Sequence, residues 1–148
     1  MTDKTIGTIN HLIAVCRDGE DFYGSAAEKV EDEGLRRQFQ EMAALHREIG
    51  DELRPHVAKA GGSPAEGGTL SGRTRQIFAS LKALLASDTQ ATLVAELKVA
   101  EDAVVEAFQS ALDDPVSEAA RERVAARLKD VQLARERMQA LEQQVASA

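Results

Sequence analysis

Four long stretches of this chain each carry an apolar stripe that advances by alternating steps of three and four residues, and each stripe is broken once by an ionisable side chain. The first stripe runs Ile6, Ile9, Ile13, Cys16, Glu20, Tyr23, Ala27, Val30, and the second Leu35, Phe39, Met42, His46, Ile49, Leu53. The third runs Val94, Leu97, Glu101, Val104, Phe108, Ala111, and the fourth Val124, Leu128, Val131, Arg135, Met138. Such spacing lines one face of a helix and does not suit a strand. Four helices striped in this way must bury their faces against one another, so the expected fold is all-α, a four-helix bundle in one domain over residues 1–148. Burying a lone charge costs several kcal/mol even after relaxation. Glu20, His46, Glu101 and Arg135 are therefore expected inside only where they meet one another, water or a metal.

The punctuation agrees. There are three prolines and ten glycines, and the glycines concentrate in the linker Gly61-Gly62-Ser63-Pro64-Ala65-Glu66-Gly67-Gly68. Elsewhere good helix formers dominate, which places helices at 4–31, 33–60, 72–86, 88–112 and 115–146. Asp32 is read as a cap, Ser87-Asp88-Thr89-Gln90 as a capping box, and Asp114-Pro115 as a cap followed by proline at the first helical position. Pro55 removes a backbone donor inside the second helix, so a kink or early end is expected there. The short segment presents Ile77, Leu81 and Leu84 or Leu85 on one edge and reads as a surface crossover. It would return the chain to its starting end, so that the second and third long helices run parallel.

With 25 acidic against 18 basic side chains and a net charge of −7, the chain lacks the basic footprint of a nucleic-acid or anionic-membrane partner, and neither is expected. There is no apolar run of transmembrane length and no secretory leader pattern at Met1, so the expected location is cytoplasmic. The single cysteine, Cys16, has no partner for a disulfide or a thiolate zinc cluster and reads as a small buried residue. His11 and His56 lie off the stripes. The charged runs Glu28 to Glu33 and Arg121 to Arg127 read as solvated faces. Phosphate loops, nucleophile elbows, His-Glu-x-x-His and Cys-x-x-Cys are missing from the sequence.

Level along the helices sorts the ionisable residues. Counting from the turn at Asp32, Glu20 lies 12 residues before and His46 lies 14 after, so the two should stand within a turn of each other. Counting from Asp114, Glu101 lies 13 before and Arg135 lies 21 after, an excess of 8 residues or about 12 Å at the helical rise.

Inward carboxylates and histidines on successive helices, with a long connection between the second and third, resemble the ferritin-like di-iron superfamily and its pattern Glu, Glu-x-x-His, Glu, Glu-x-x-His. More closely, several segments taken in order resemble a bacterial ferritin-like four-helix-bundle family of unknown function. They are Thr5-Ile6 through Arg17-Asp18-Gly19-Glu20, Ala60-Gly61-Gly62-Ser63-Pro64, Ser71-Gly72, Glu96 through Ala100-Glu101-Asp102, and Arg135-Glu136-Arg137-Met138-Gln139-Ala140-Leu141. The resemblance implies a ferritin-like bundle with a crossover helix, and the departures imply lost ligands. Ala43 stands three before His46 where a di-iron site needs Glu, and Gln132 with Arg135 replaces the second Glu-x-x-His. Arginine cannot ligate a metal.

The reading is therefore a non-enzymatic bundle with degenerate di-iron positions, either a stress-associated or an interaction protein. It is expected to associate with itself as a homo-oligomer and to need no cofactor. Glu20, His46 and Glu101 would form a buried polar network with Tyr23 and Arg135. The alternative is a reduced site on Glu20, His46 and Glu101 that holds Fe, Mn or Zn, with weak metal-dependent oxidase activity.

Overall fold

A computed structural model describes residues 4–69, 72–85 and 90–147, and all regular structure among them is helical. The elements are α1 (Thr5–Lys29), α2 (Glu33–Lys59), α3 (Arg73–Leu85), α4 (Gln90–Ala111) and α5 (Glu118–Ser147). The α1–α2 turn is tight because Asp32 caps α2, accepting from the Leu35 amide at 2.8 Å. Arg36 reaches back from α2 to the Ala27 and Val30 carbonyls, which α1 leaves unpaired at its end.

Three hydrogen bonds fix the direction of the second half. The Lys4 amide donates to the Pro115 carbonyl, the Thr8 hydroxyl to Asp114, and the Ser117 amide to the Thr5 hydroxyl. The start of α1 therefore lies beside the α4–α5 turn, so α4 runs antiparallel to α1 and parallel to α2. Ion pairs that link Glu52 to Arg123, Glu48 to Arg127 and Glu41 to Arg137 show α5 running antiparallel along α2. Exposed pairs of this kind contribute about 0.2–1 kcal/mol each, so they set register more than stability. The Arg121–Arg127 run thus does more than solvate a face.

A strap between α2 and α3 makes the parallel arrangement possible. Gly61, at φ +91°, turns the chain out of α2. Asn10 then holds the strap from α1, donating to the Ser63 carbonyl and accepting from the Ala65 amide, while Arg54 of α2 donates to the Ala65 carbonyl. Further up α1, buried Asp18 accepts from the Thr69 amide and from the hydroxyls of Thr69 and Thr74. Gly68 is required there, because a Cβ would lie 2.1 Å from the Asp18 carboxylate. The strap climbs the α1–α2 seam, crosses α1 at Asp18 and delivers α3 onto the seam between α1 and α4. Phe78 and Leu81 of α3 are buried, and Phe78 packs on Phe22 and Tyr23.

Several expectations from sequence need correction. α5 begins at Glu118 rather than 115. Ser117 is its cap, accepting from the Ala120 amide, because Asp114 and the Pro115 carbonyl are engaged by α1. α2 continues through Pro55 to Lys59, since Val57 is fully buried and draws the last turn into the core. The inward edge of α3 is Thr74, Phe78 and Leu81, while Ile77 is half-buried. Ile6 is 37% exposed and lies outside the core. The capping box read at Ser87 to Gln90 begins outside the described residues.

Candidate functional site

Glu101 sits in the middle of α4 with no solvent exposure. Val104, Leu97 and Phe108 on the same helix are also fully buried, so the hydrophobic face of α4 carries the carboxylate into the core. Its Oε1 atom accepts from the Tyr23 hydroxyl of α1 at 2.7 Å and pairs with His46 Nε2 of α2 at 3.0 Å. A carboxylate only accepts, so Nε2 carries the proton of that bond. The phenol of Tyr23 also stacks on the imidazole, with ring centroids 5.6 Å apart and planes 15° from parallel. Three helices thus converge on one oxygen atom. Glu101 Oε2 and His46 Nδ1 are buried with no protein partner.

A glycine creates the room for the imidazole. A Cβ at Gly19 would lie 2.8 Å from His46 Nδ1 and 2.9 Å from two ring carbons, so the ring is seated against bare α1 backbone. At Gly50 of α2, by contrast, a Cβ would meet only Cys16 Cβ, at an ordinary contact distance of 3.4 Å. The sequence carries no specific signal for Gly19, because α1 also carries Gly7 and Gly24, which meet open space, and only the fold shows which of the three a neighbour approaches. Asp18 was missed because it lies off the stripe read for α1; its role depends on the strap, which periodicity cannot place.

Glu20 stands apart from this contact. Its side chain is 24% exposed and faces Arg17 at 3.7 Å. It shares with His46, Cys16 and Gly50 the wall of a cavity of about 130 Å³ on the α1–α2 seam, covered by Ala65 and Glu66 of the strap. Arg135 does not join the buried layer; its guanidinium is about one-third exposed and lies 3.7 Å from Asp102, the neighbour of Glu101. Because α5 starts later than the sequence suggested, Arg135 comes closer in level than the 8-residue count allowed, and it stays outside because it meets Asp102 on the outer side of α4. The structure therefore brings together Tyr23, His46 and Glu101, and leaves Glu20 and Arg135 at the periphery.

The donor set does not fit a di-iron centre of the Glu, Glu-x-x-His type. Ala43 and Arg135 offer no ligating atom, and Glu101 Oε1 already takes two hydrogen bonds. Among the described residues, no three His, Cys, Asp or Glu side chains are grouped to hold a metal ion.

A family model described as "Domain of unknown function (DUF2383)" matches residues 4–114, which is 111 of 148 residues. The chain belongs to that family. The match takes in α1 to α4 and hence all three residues of the junction, whereas α5 lies beyond it. No curated protein matches the chain.

The environment of the junction shifts two groups upward. Burial pushes the Tyr23 hydroxyl well above its ordinary value of 10.0, and the negative charge and hydrogen bond of Glu101 push it further. Burial likewise raises the Cys16 thiol far above 9.0, with Glu101 adding to the effect. The folded chain keeps both protons at pH values where the unfolded chain has released them, so this contribution is fully present below pH 9.0 and is lost as pH rises beyond it. Tyr23 is the only tyrosine, so ultraviolet absorbance of tyrosinate reports it alone. Its ionisation is expected to coincide with alkaline unfolding measured by circular dichroism; reversible ionisation near pH 10 in a still-folded chain would contradict the buried placement.

Two glycines of α1 are expected to respond with opposite signs to alanine. Gly19→Ala drives a methyl into a ring held on two sides and should destabilise by about 1–2 kcal/mol net of its helix-propensity gain. Gly24→Ala meets open space and should stabilise by about 0.5–1 kcal/mol. Urea unfolding of the two variants checks both; a stabilised Gly19→Ala chain would contradict the seating of His46.

Proposed function

We propose that this chain is a non-enzymatic, ferritin-like bundle in which the former place of a metal centre has become a structural junction. The bundle then serves as a soluble cytoplasmic binding or interaction module. The helix order supports the ferritin-like reading: α1 and α2 form one antiparallel hairpin, α4 and α5 another, and a long connection makes α2 and α4 parallel. The single observation that carries the non-enzymatic reading is the commitment of Glu101 Oε1 to Tyr23 and His46. Bound through that oxygen in a fully buried layer, the carboxylate ties three helices together away from any substrate approaching from solvent.

A second reading is favoured by one feature. An imidazole that donates one N–H to a carboxylate is the arrangement that commonly supports a histidine metal ligand, and His46 Nδ1 has no protein partner. Glu20 lines the same small cavity as His46, so a single Fe, Mn or Zn ion held by His46 and Glu20, with Glu101 behind them, is the alternative.

Elemental analysis separates the two. The untagged chain is incubated with Fe(II), Mn(II) or Zn(II), desalted and compared with Glu20→Ala and His46→Gln variants. The proposed reading expects well under one equivalent of retained metal, Glu20→Ala as stable as the parent, and His46→Gln destabilised. Close to one equivalent of metal, lost in both variants, would overturn it in favour of the metal site.

A further inference from the structure

The junction uses one nitrogen of the His46 ring and leaves the other without a partner. Nε2 carries the proton shared with Glu101, so Nδ1 keeps a lone pair in a fully buried side chain. A buried acceptor of this kind is costly unless something reaches it. Glu101 is not part of the wall of the cavity of about 130 Å³ on the α1–α2 seam, whereas His46, Cys16 and Glu20 are. A Cβ at Gly19 would lie 2.8 Å from Nδ1, which seats that nitrogen over position 19 of α1, with Cys16 one turn before it and Glu20 one residue beyond. Cys16 faces the same seam, since a Cβ at Gly50 of α2 would meet Cys16 Cβ at 3.4 Å. Residues three apart on a helix stand about 5–6 Å apart at Cβ. A buried thiol and a buried imidazole lone pair therefore share one small space.

These two donors select the occupant. Sulfur and imidazole nitrogen suit soft metal ions. Zinc takes four ligands, and among the described residues no third His, Cys, Asp or Glu completes a metal-holding group. Cu(I), a closed-shell monovalent ion, is satisfied by two ligands in line. Charge points the same way. Glu20, Asp51 and Glu66 line the cavity with Arg17, Arg47 and Arg54, three charges of each sign, so an ion that replaces the Cys16 proton leaves the balance unchanged only if it is monovalent. Burial holds the thiol protonated by opposing a bare thiolate, but a copper thiolate is as neutral as the thiol it replaces.

We propose that Cys16 Sγ and His46 Nδ1 bind one Cu(I) ion, which releases the thiol proton to solvent without any change of oxidation state. The site rests on the His46–Glu101 bond, which fixes the tautomer that frees Nδ1, and on neither reading of function above. Its dependence on Cys16, and not on Glu20, separates it from an Fe, Mn or Zn site.

Titration of the reduced full chain, under anaerobic conditions, against the Cu(I) complex of bicinchoninate tests this, with X-ray absorption at the copper edge on the loaded chain. One equivalent of Cu(I) per chain is expected, with one sulfur and one nitrogen ligand, and an excess of Zn(II) should not displace it. Removing a ligand should exceed the 10–100-fold loss typical of an outer-shell change, so Cys16→Ala and His46→Gln should each weaken Cu(I) by about a hundredfold or more, while Glu20→Ala leaves it unchanged. If circular dichroism shows that either ligand variant fails to fold, the ligand count on the parent chain decides. Complete removal of copper by bicinchoninate, full affinity in folded Cys16→Ala or His46→Gln, or copper lost from Glu20→Ala would overturn the proposal. Two sulfur ligands would overturn it as well, assigning the ion to a bridge between the cysteines of two chains.

Discussion

One oxygen atom of a fully buried carboxylate governs how three of these helices meet. Glu101 can remain in the core only if donors reach it, and the donors come from two other helices, Tyr23 on α1 and His46 on α2. Each bond fixes the rotation of its helix as well as its position. Aliphatic packing alone tolerates many such rotations, since hydrophobic contact is non-directional. The imidazole must also lie flat between the Tyr23 ring and the backbone at Gly19, which demands a residue without a side chain. A polar layer of this kind contributes little net stability, because desolvation offsets the attraction, but it penalises alternative packings heavily.

The long connection imposes the second constraint. Returning the chain along the bundle requires irregular backbone against two helices, and that backbone must find hydrogen-bond partners. Asn10 and Arg54 supply them together at Ala65, and Asp18 supplies them further along at Thr69. The route has a geometric consequence. Because the strap occupies the α1–α2 seam before crossing α1, it covers the cavity beside His46 and leaves part of the α1–α4 seam open beside Ala103, Ala107 and Ala111. The closed seam and the open one follow from a single crossing at Asp18.

Much of this architecture was legible in the sequence because helical periodicity, Asp32, the glycine cluster and the short crossover segment are local signals. What was not legible depends on neighbours. Leu12, Val15, Phe22 and Ala26 are buried although they lie off the stripe read for α1, because α1 touches α2, α3 and α4 and so has more than one inner face. For the same reason Gly19, not Glu20, meets His46: the level count placed the two helices at the right height but could not resolve a difference of one residue around the helix. Arg135 reaches the neighbour of Glu101 but not the layer itself, because Asp102 offers it a partner on the partly exposed side of α4 while Glu101 faces the core. The start of α5 was displaced by tertiary bonds from α1 to Asp114 and Pro115, which no local capping rule contains.

The most direct test of the junction is a double-mutant cycle between α2 and α4. His46→Leu, Glu101→Leu and the double variant are unfolded in urea beside the parent. The account predicts that each single change costs about 3 kcal/mol or more, by stranding its polar partner, and that the double change costs at least about 2 kcal/mol less than the sum of the two. Additive costs would mean that the two side chains are not energetically joined, and would contradict the central role given to Glu101.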